Sequence, residues 1–337
     1  MEFLSDYGLF LAKAITFVIV FALIVAIAAS ASHKEKGPKP KIVHLNKKLK
    51  KVQDHFDSEV LSKKELKEKH KKEKADSKKA EKSESKPRTY VLDFNGDIKA
   101  SQAENLKDEI TAILSLDTPI EEVVVKVESG GGMVHQYGFA SAQLDRIKQK
   151  GIPLTVCVDK VAASGGYMMA VVADKIIAAP FAILGSIGVI AQLPNFNKVL
   201  KKNDIDFEVH TAGEYKRTLT MFGENTDKAR EKFKEDLKNV HILFKDFVKS
   251  HRNAVDVEQV ANGDIWYGQK AKEQNLVDDL MTSDDYLLKK TKTSDVYLIT
   301  REKKKNLAQK LGLAAKAGVA QGVETAIEKM SFSKWYI

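Results

Sequence analysis

Val123-Val124-Val125-Lys126-Val127-Glu128-Ser129-Gly130-Gly131-Gly132 is the stretch that decides the fold. A nearly continuous β-branched run reads as a strand buried on both faces, as strands of a parallel sheet are. The glycines end it, and the spacing predicts a helix from about Tyr137 to Lys150. The pattern repeats at once. Leu154-Thr155-Val156-Cys157-Val158 is a second such strand, and Asp159-Lys160-Val161-Ala162-Ala163-Ser164-Gly165-Gly166-Tyr167 turns it into a helix that begins near Ser164. Upstream, Tyr90-Val91-Leu92-Asp93-Phe94 reads as a strand leading to a helix over Ser101 to Leu116. Downstream, Ile176-Ile177-Ala178-Ala179 is a short further strand. This β-α-β-α rhythm predicts an α/β fold, a parallel sheet with flanking helices. Asp227 to Lys249 carries Phe233, Leu237, Val240, Leu243, Phe244 and Phe247 as an apolar stripe and reads as a long amphipathic helix.

Outside this region the texture changes. Leu9 to Ser32 is almost wholly apolar, broken only by Lys13, and is long enough to span a bilayer. Its acidic start at Glu2 and Asp6 and its length favour an uncleaved anchor, although Ala29-Ser30-Ala31 fits a signal-peptide cleavage site. Residues 33–88 hold 20 Lys+Arg against 10 Asp+Glu, a balance of +10 where the whole chain has +9. The basic character therefore belongs to this segment, and the rest is close to neutral. A charged stalk is expected, within which Ile42, Leu45, Leu49, Val52, Phe56 and Val60 recur every three or four residues. The bland reading is a solvated charged helix or a disordered tether, and the functional alternative is docking on anionic lipid headgroups, to which juxtamembrane lysines are attracted. No aromatic platform interleaves them, so no nucleic-acid partner is expected. The organisation expected is an anchor at 1–32, a stalk at 33–88, a catalytic-sized domain at 89–300 and a tail at 301–337.

Both glycine clusters follow strands. Glycine at such a turn lets the backbone approach a ligand and leaves amides free at a helix start. A serine there presents its hydroxyl beside a backbone N–H, and two such amides can form an oxyanion hole for acyl transfer. The bland alternative is a pair of tight turns with Ser164 as a helix N-cap. A nucleophilic serine needs a base. His33, His44, His55 and His70 precede the domain, and His241 and His251 are expected to face solvent. His135, His210 and Lys216 remain. Lys216 lies in Gly213-Glu214-Tyr215-Lys216-Arg217, after Phe207-Glu208-Val209-His210, which reads as a strand end. A desolvated lysine can act as a base. The single cysteine, Cys157, rules out an intramolecular disulfide or a multi-cysteine zinc site and reads as a core residue.

Ala162-Ala163-Ser164-Gly165-Gly166-Tyr167, Gly185-Ser186-Ile187-Gly188 and Gly213-Glu214-Tyr215-Lys216-Arg217, in this order, resemble the signal peptide peptidase A family. The resemblance implies a Clp/crotonase-like fold and a membrane-anchored serine peptidase with a Ser-Lys dyad and no cofactor. Carried over, Ser164 is the nucleophile, Lys216 the base and Ser186 the group that orients the lysine. Gly165 with Gly131 or Gly132 would form the oxyanion hole. The family commonly has Ser-Pro-Gly-Gly where this chain reads Ser129-Gly130-Gly131-Gly132, which predicts a looser hole. The resemblance further implies peptide or protein substrates, a homo-oligomer, and a bacterial inner-membrane protein whose catalytic domain is periplasmic. The positive-inside rule opposes that side, because the lysine-rich flank follows the apolar run. Two other readings are a crotonase-like acyl-CoA enzyme and a non-catalytic oligomeric scaffold.

Overall fold

The strand Ile120–Ser129 (β3) is the branch point of the sheet. The computed structural model describes residues 40–80 and 86–301, with isolated helical positions at 7, 8, 10, 11, 13 and 16–18. Most of the apolar run at 9–32 and the tail after 301 lie outside the described residues. Among the described residues no helix is long and apolar enough to cross a membrane. Residues 1–41 with 301–337 form one unit and residues 42–300 another; the elements below belong to the second, apart from Pro40, Lys41 and Arg301 at its two ends.

In chain order its elements begin with β1 (Pro40–His44), α1 (Leu45–Val60), α2 (Lys63–Ala80), β2 (Arg88–Gly96) and α3 (Ala103–Leu114). After β3 come α4 (Val134–Gln149), β4 (Leu154–Val158), β5 (Val161–Ala163), α5 (Gly165–Ala170), β6 (Lys175–Ala178) and β7 (Ile183–Gly185). The remainder is α6 (Asn197–Lys202), α7 (Asp227–His251), α8 (Val257–Val260), β8 (Ile265–Tyr267), α9 (Gly268–Glu273), β9 (Asp279–Leu280), α10 (Ser283–Thr293) and β10 (Asp295–Arg301). The sheet runs β1-β10-β2-β3-β4-β6-β9, and β5, β7 and β8 form a branch from β3. The pairs from β10 to β9 are parallel, and β7–β8 is antiparallel. Val123 to Lys126 pair with β4, whereas Ser129, at the end of β3, pairs with Ala162 of β5. The first glycine cluster is thereby brought beside the second.

Both faces of the sheet are buried, as the β-branched runs require. Leu92, Phe94, Val125, Val127 and Val156 pack under α3, α4 and α5 with Tyr137, Leu144 and Met169. The alternate residues Val91, Val124, Cys157 and Ile177 face the other way, against Leu287 of α10. Cys157 is a core residue whose thiol burial pushes to about 12, far from a reactive thiolate. Glu122 lies on that second face, where it accepts from Tyr286 (2.6 Å) and Thr155 and pairs with Lys290 (2.8 Å).

Part of the segment read as a stalk joins the fold. Pro40–His44 is the edge strand beside β10. Asn46 donates to the carbonyls of Thr291 (2.9 Å) and Ser294 (2.8 Å) and accepts from the Val296 amide (2.8 Å). Three bonds from one side chain fasten the start of α1 to the body. A second difference lies at Phe207–His210, which forms no strand. Its four residues are exposed and no strand among the described residues pairs with them, so β-type alternation by itself does not make a strand.

Candidate active site

Ser164 stands between β5 and α5 with φ +51° and ψ −118°, a conformation that costs a residue bearing a Cβ about 1–3 kcal/mol. Such strain persists only where the surroundings impose it, and several contacts do so. The Ser164 amide donates to the Gly185 carbonyl at 2.8 Å, and its own carbonyl accepts from Met168 at 2.9 Å. Ser164 caps α5 with its backbone, and its hydroxyl makes no capping bond. The N-cap alternative is thus not how the side chain is used.

The glycines are there because of contact. A Cβ on Gly165 would lie 2.4 Å from the Tyr137 ring, and one on Gly166 would lie 2.4 Å from the Ser129 carbonyl oxygen. Gly131, at φ +91°, is pressed against the nucleophile turn: a Cβ there would be 2.7 Å from the Gly165 nitrogen. Gly132 abuts the Ile98 backbone, where a Cβ would come within 2.1 Å of its carbonyl oxygen. Tyr137 braces the group from below. Its hydroxyl donates to the Asp97 carbonyl (2.7 Å) and shares a bond with Ser129 Oγ (2.5 Å). Burial raises the Tyr137 pKa, with the Ser129 bond acting in opposition, so the phenol is a protonated brace.

The amides divide. Gly131 N–H is taken up by Ser129 Oγ at 3.1 Å. The Gly132 and Gly165 amides find no acceptor among the described residues. The sequence left Gly131 and Gly132 as alternatives, and hydrogen bonding separates them. A cavity of ≈ 20 Å³ opens at this point, lined by Ser164, Gly132, Val134, Met168, Val240 and Phe244 among others. A larger depression of ≈ 530 Å³ lies at Thr111, Leu114, Arg146 and Lys150 and holds none of the candidate residues.

Ser186 follows the same logic as Ser164. Ala163 pairs with Gly185 across β5 and β7, so the next residue of each strand, Ser164 and Ser186, emerges side by side. Ser186 also has positive φ (+49°), held by its amide on the Asp264 carbonyl at 2.7 Å. His241, expected to face solvent, is half-buried with Nε2 at 3.2 Å from the Ile187 carbonyl. It ties α7 to the Ser186 turn. Nothing in its sequence surroundings distinguishes it, because the turn it meets is 54 residues away.

Lys216 does not join this group. Its side chain is exposed and shares no hydrogen bond with Ser164 or Ser186. Its neighbours hold the start of α7: Glu214 pairs with Lys228 at 2.7 Å, and the Lys232 ammonium sits 5.5 Å from the Tyr215 ring centre. The residues of α7 at the Ser164 cavity are Val240 and Phe244. Eight residues of helix, roughly 12 Å, separate Lys232 from Val240. His210 is paired with Glu208 at 3.1 Å on the surface, and His135 is exposed, so neither replaces it.

Comparison with known proteins bears on this geometry. The model described as Peptidase family S49 N-terminal matches residues 2–144, and that described as Peptidase family S49 matches residues 146–297. The chain belongs to peptidase family S49. It is a serine-type peptidase. It is 44% identical over 334 residues to a probable protease SohB of Haemophilus influenzae, covering 93% of each chain. A probable protease SohB of Buchnera aphidicola subsp. Acyrthosiphon pisum is 46% identical over 345 residues, covering 100% of both. Among solved structures, a membrane protease specific for a stomatin homolog from Pyrococcus horikoshii matches 61% of this chain and 79% of its own, at 15% identity and TM-score 0.39. So distant a likeness adds nothing to the assignment. Membership of a peptidase family sets aside the acyl-CoA enzyme.

Proposed function

We propose that this S49 peptidase is a membrane-anchored endopeptidase that cleaves peptide bonds with a Ser164–Lys216 dyad completed between copies of the chain. The observation that carries the reading is the Ser164 turn: a strained serine whose hydroxyl makes no capping bond, flanked by the Gly132 and Gly165 amides, which have no acceptor among the described residues. Ser164 Oγ attacks the peptide carbonyl and its proton passes to the Lys216 amine. The new C–O bond leaves an oxyanion that the two amides hold, where preorganised donors are worth most. The C–N bond then breaks, Lys216 returns the proton to the leaving amine, and water hydrolyses the acyl-enzyme. Ser186, beside Ser164, accepts from the lysine and orients it.

A lysine works as a base near neutral pH only when desolvation lowers its pKa. In the single chain Lys216 is exposed and its loop is tied to the far end of α7. The same region exposes Ile190, Phe196, Val199, Phe207 and Phe222, more apolar surface than a loop needs. A homo-oligomer in which this surface is covered would bury Lys216 against a neighbour's Ser164 and Ser186. The substrates are remnant signal peptides or unfolded and membrane proteins, held near the bilayer by residues 9–32, with the catalytic domain on the periplasmic side of a bacterial inner membrane.

The test is cleavage of denatured casein and of a synthetic signal peptide by the detergent-solubilised full chain, with Ser164→Ala and Lys216→Ala beside it. Both variants are expected to lose turnover while keeping the parent's circular dichroism and assembly size. The parent's activity should rise toward alkaline pH as the lysine base loses its proton. Retained turnover in Lys216→Ala ends the dyad reading. A parent that is assembled but inert supports the scaffold reading instead.

A further inference from the structure

The two helices after β1 form a hairpin bridged by ion pairs. Lys50 of α1 bonds Glu73 of α2 as well as Asp54 on its own helix (2.9 Å), and Lys69 of α2 bonds Asp57 of α1. The apolar residues of α1 point elsewhere. Leu49, Val52, Phe56 and Val60 are 40%, 49%, 65% and 75% exposed. Their spacing of three or four residues puts them on one stripe along the 16-residue helix. A single exposed leucine needs no explanation, but a stripe running the length of a helix does.

We infer that this stripe docks on the bilayer, lying in the headgroup region of an anionic membrane. The inference rests on the anchoring of residues 9–32 proposed above. Chain length is the first argument. Only seven residues, His33 to Lys39, separate the apolar run from β1, and fully extended they reach about 25 Å. The hairpin therefore starts within reach of the membrane surface. Charge is the second. Helices α1 and α2 together carry thirteen lysines against seven carboxylates, and His33 to Lys39 adds three more lysines. The excess sits mainly on α2, next to the stripe of α1, and an apolar stripe within a lysine-rich hairpin is the composition of a segment that lies in a membrane interface, drawn by anionic headgroups. The same charge opposes a second copy of the hairpin as the occupant, because two lysine-rich surfaces would repel. Asn46 fixes the root of α1 to the body, so docking the stripe would also orient the peptidase domain to the surface.

The experiment uses the full chain reconstituted in vesicles that contain anionic lipid, with an environment-sensitive fluorophore on one introduced cysteine. Cys157 is buried and stays unlabelled in the parent. Phe56→Cys reports the stripe, Glu68→Cys the exposed flank of α2, and Ile24→Cys the anchor. The label at 56 is expected to be quenched several-fold by a nitroxide lipid and shielded from aqueous iodide, with the label at 68 behaving oppositely. Quenching at 56 should weaken in zwitterionic vesicles and at high salt. A label at 56 as open to iodide as the one at 68 overturns the inference, while lipid quenching at 24 in the same vesicles keeps the anchor. A label at 56 shielded from iodide but untouched by nitroxide lipid means that a second copy covers the stripe, which also overturns it. Absence of lipid quenching at 24 overturns the anchor and leaves position 56 to decide the surface contact by itself.

Discussion

The Ser164 turn and the Lys216 loop, partners in the proposed mechanism, are built by opposite means. Around Ser164 almost every degree of freedom is taken. Its amide is bonded to Gly185, Gly131, Gly132, Gly165 and Gly166 are in contact too close for a side chain, and Tyr137 is locked beneath them by Asp97 and Ser129. The loop at 213–217 is irregular, exposed and held by a surface ion pair and a cation–π contact, which are weak ties. The oxyanion donors must be rigid because they stabilise charge without moving. The base must be desolvated, and a solvated loop becomes dry only when something covers it. On the proposed mechanism, the half of the site that needs preorganisation is complete in one chain, and the half that needs burial is left to an assembly.

The sharpest way to break this comparison is to separate its halves. Ser164→Ala and Lys216→Ala should each be inert, with losses on the order of 10⁴-fold or more. Unfolded and co-refolded together, they should regain part of the parent's turnover, because some contacts would unite an intact serine with an intact lysine. A mixture as inert as either variant alone means that both members act within one chain. Next in size, Gly132→Ala would drive a Cβ into the Ile98 carbonyl and displace a free amide. Turnover should fall by about 10²–10³-fold, the usual loss for one oxyanion donor, with the KM for casein little changed. An equal rise in KM would place Gly132 in substrate binding.

The two ends of α7 offer a smaller contrast. Its start carries the Lys216 loop, whereas its last residues are clamped to the body where Arg252, just after the helix, bonds Asp278 at 2.9 Å and 3.0 Å. Burial raises the Asp278 pKa, but the Arg252 guanidinium and the Ile176 amide outweigh it and hold the carboxyl below its ordinary value. Stability from this group is present above the ordinary aspartate pKa, near 3.9, and is lost as pH falls through the lower folded value. Asp278→Asn should therefore lower Tm at neutral pH and flatten its decline on the acid side. A parallel acid decline in the variant would remove Asp278 from the account. Smallest of all, Gly130→Pro should raise stability by about 0.4–1 kcal/mol. Position 130 lacks a positive φ and has open space where a Cβ would sit. A fall in Tm on denaturation would show that the turn uses a conformation proline cannot adopt.

Much of the fold is legible in the sequence. The runs at Tyr90, Val123, Leu154 and Ile176 became β2, β3, β4 and β6, because a strand buried on both faces has to be apolar at successive positions. The glycine clusters signalled close backbone contact, and contact is what Gly131, Gly132, Gly165 and Gly166 make. Other features were illegible for identifiable reasons. Pro40–His44 is short and lies in a lysine-rich stretch, and only its pairing with β10, some 250 residues away, makes it a strand. Phe207–His210 alternates like a strand and is not one, because strands need an edge to pair with. His241 sits on a highly charged helix, and its contact with the Ile187 carbonyl arises from helix placement alone.

Local chemistry determined, from the residues alone, where the strands run, where the chain must turn tightly, which serine stands on the turn and which cysteine is inert. These are matters of periodicity and of side-chain absence, which a linear sequence records. The tertiary structure decided what depends on non-local pairing. The branching of β3 sets Ser129 against Ala162 and so brings the two glycine clusters together. Hydrogen bonding to Ser129 takes the Gly131 amide and leaves that of Gly132 free. The ties of Glu214 and Tyr215 to Lys228 and Lys232 hold the Lys216 loop at the start of α7, whereas Val240 and Phe244, further along that helix, line the Ser164 cavity, and such pairings are not recorded in spacing along the sequence.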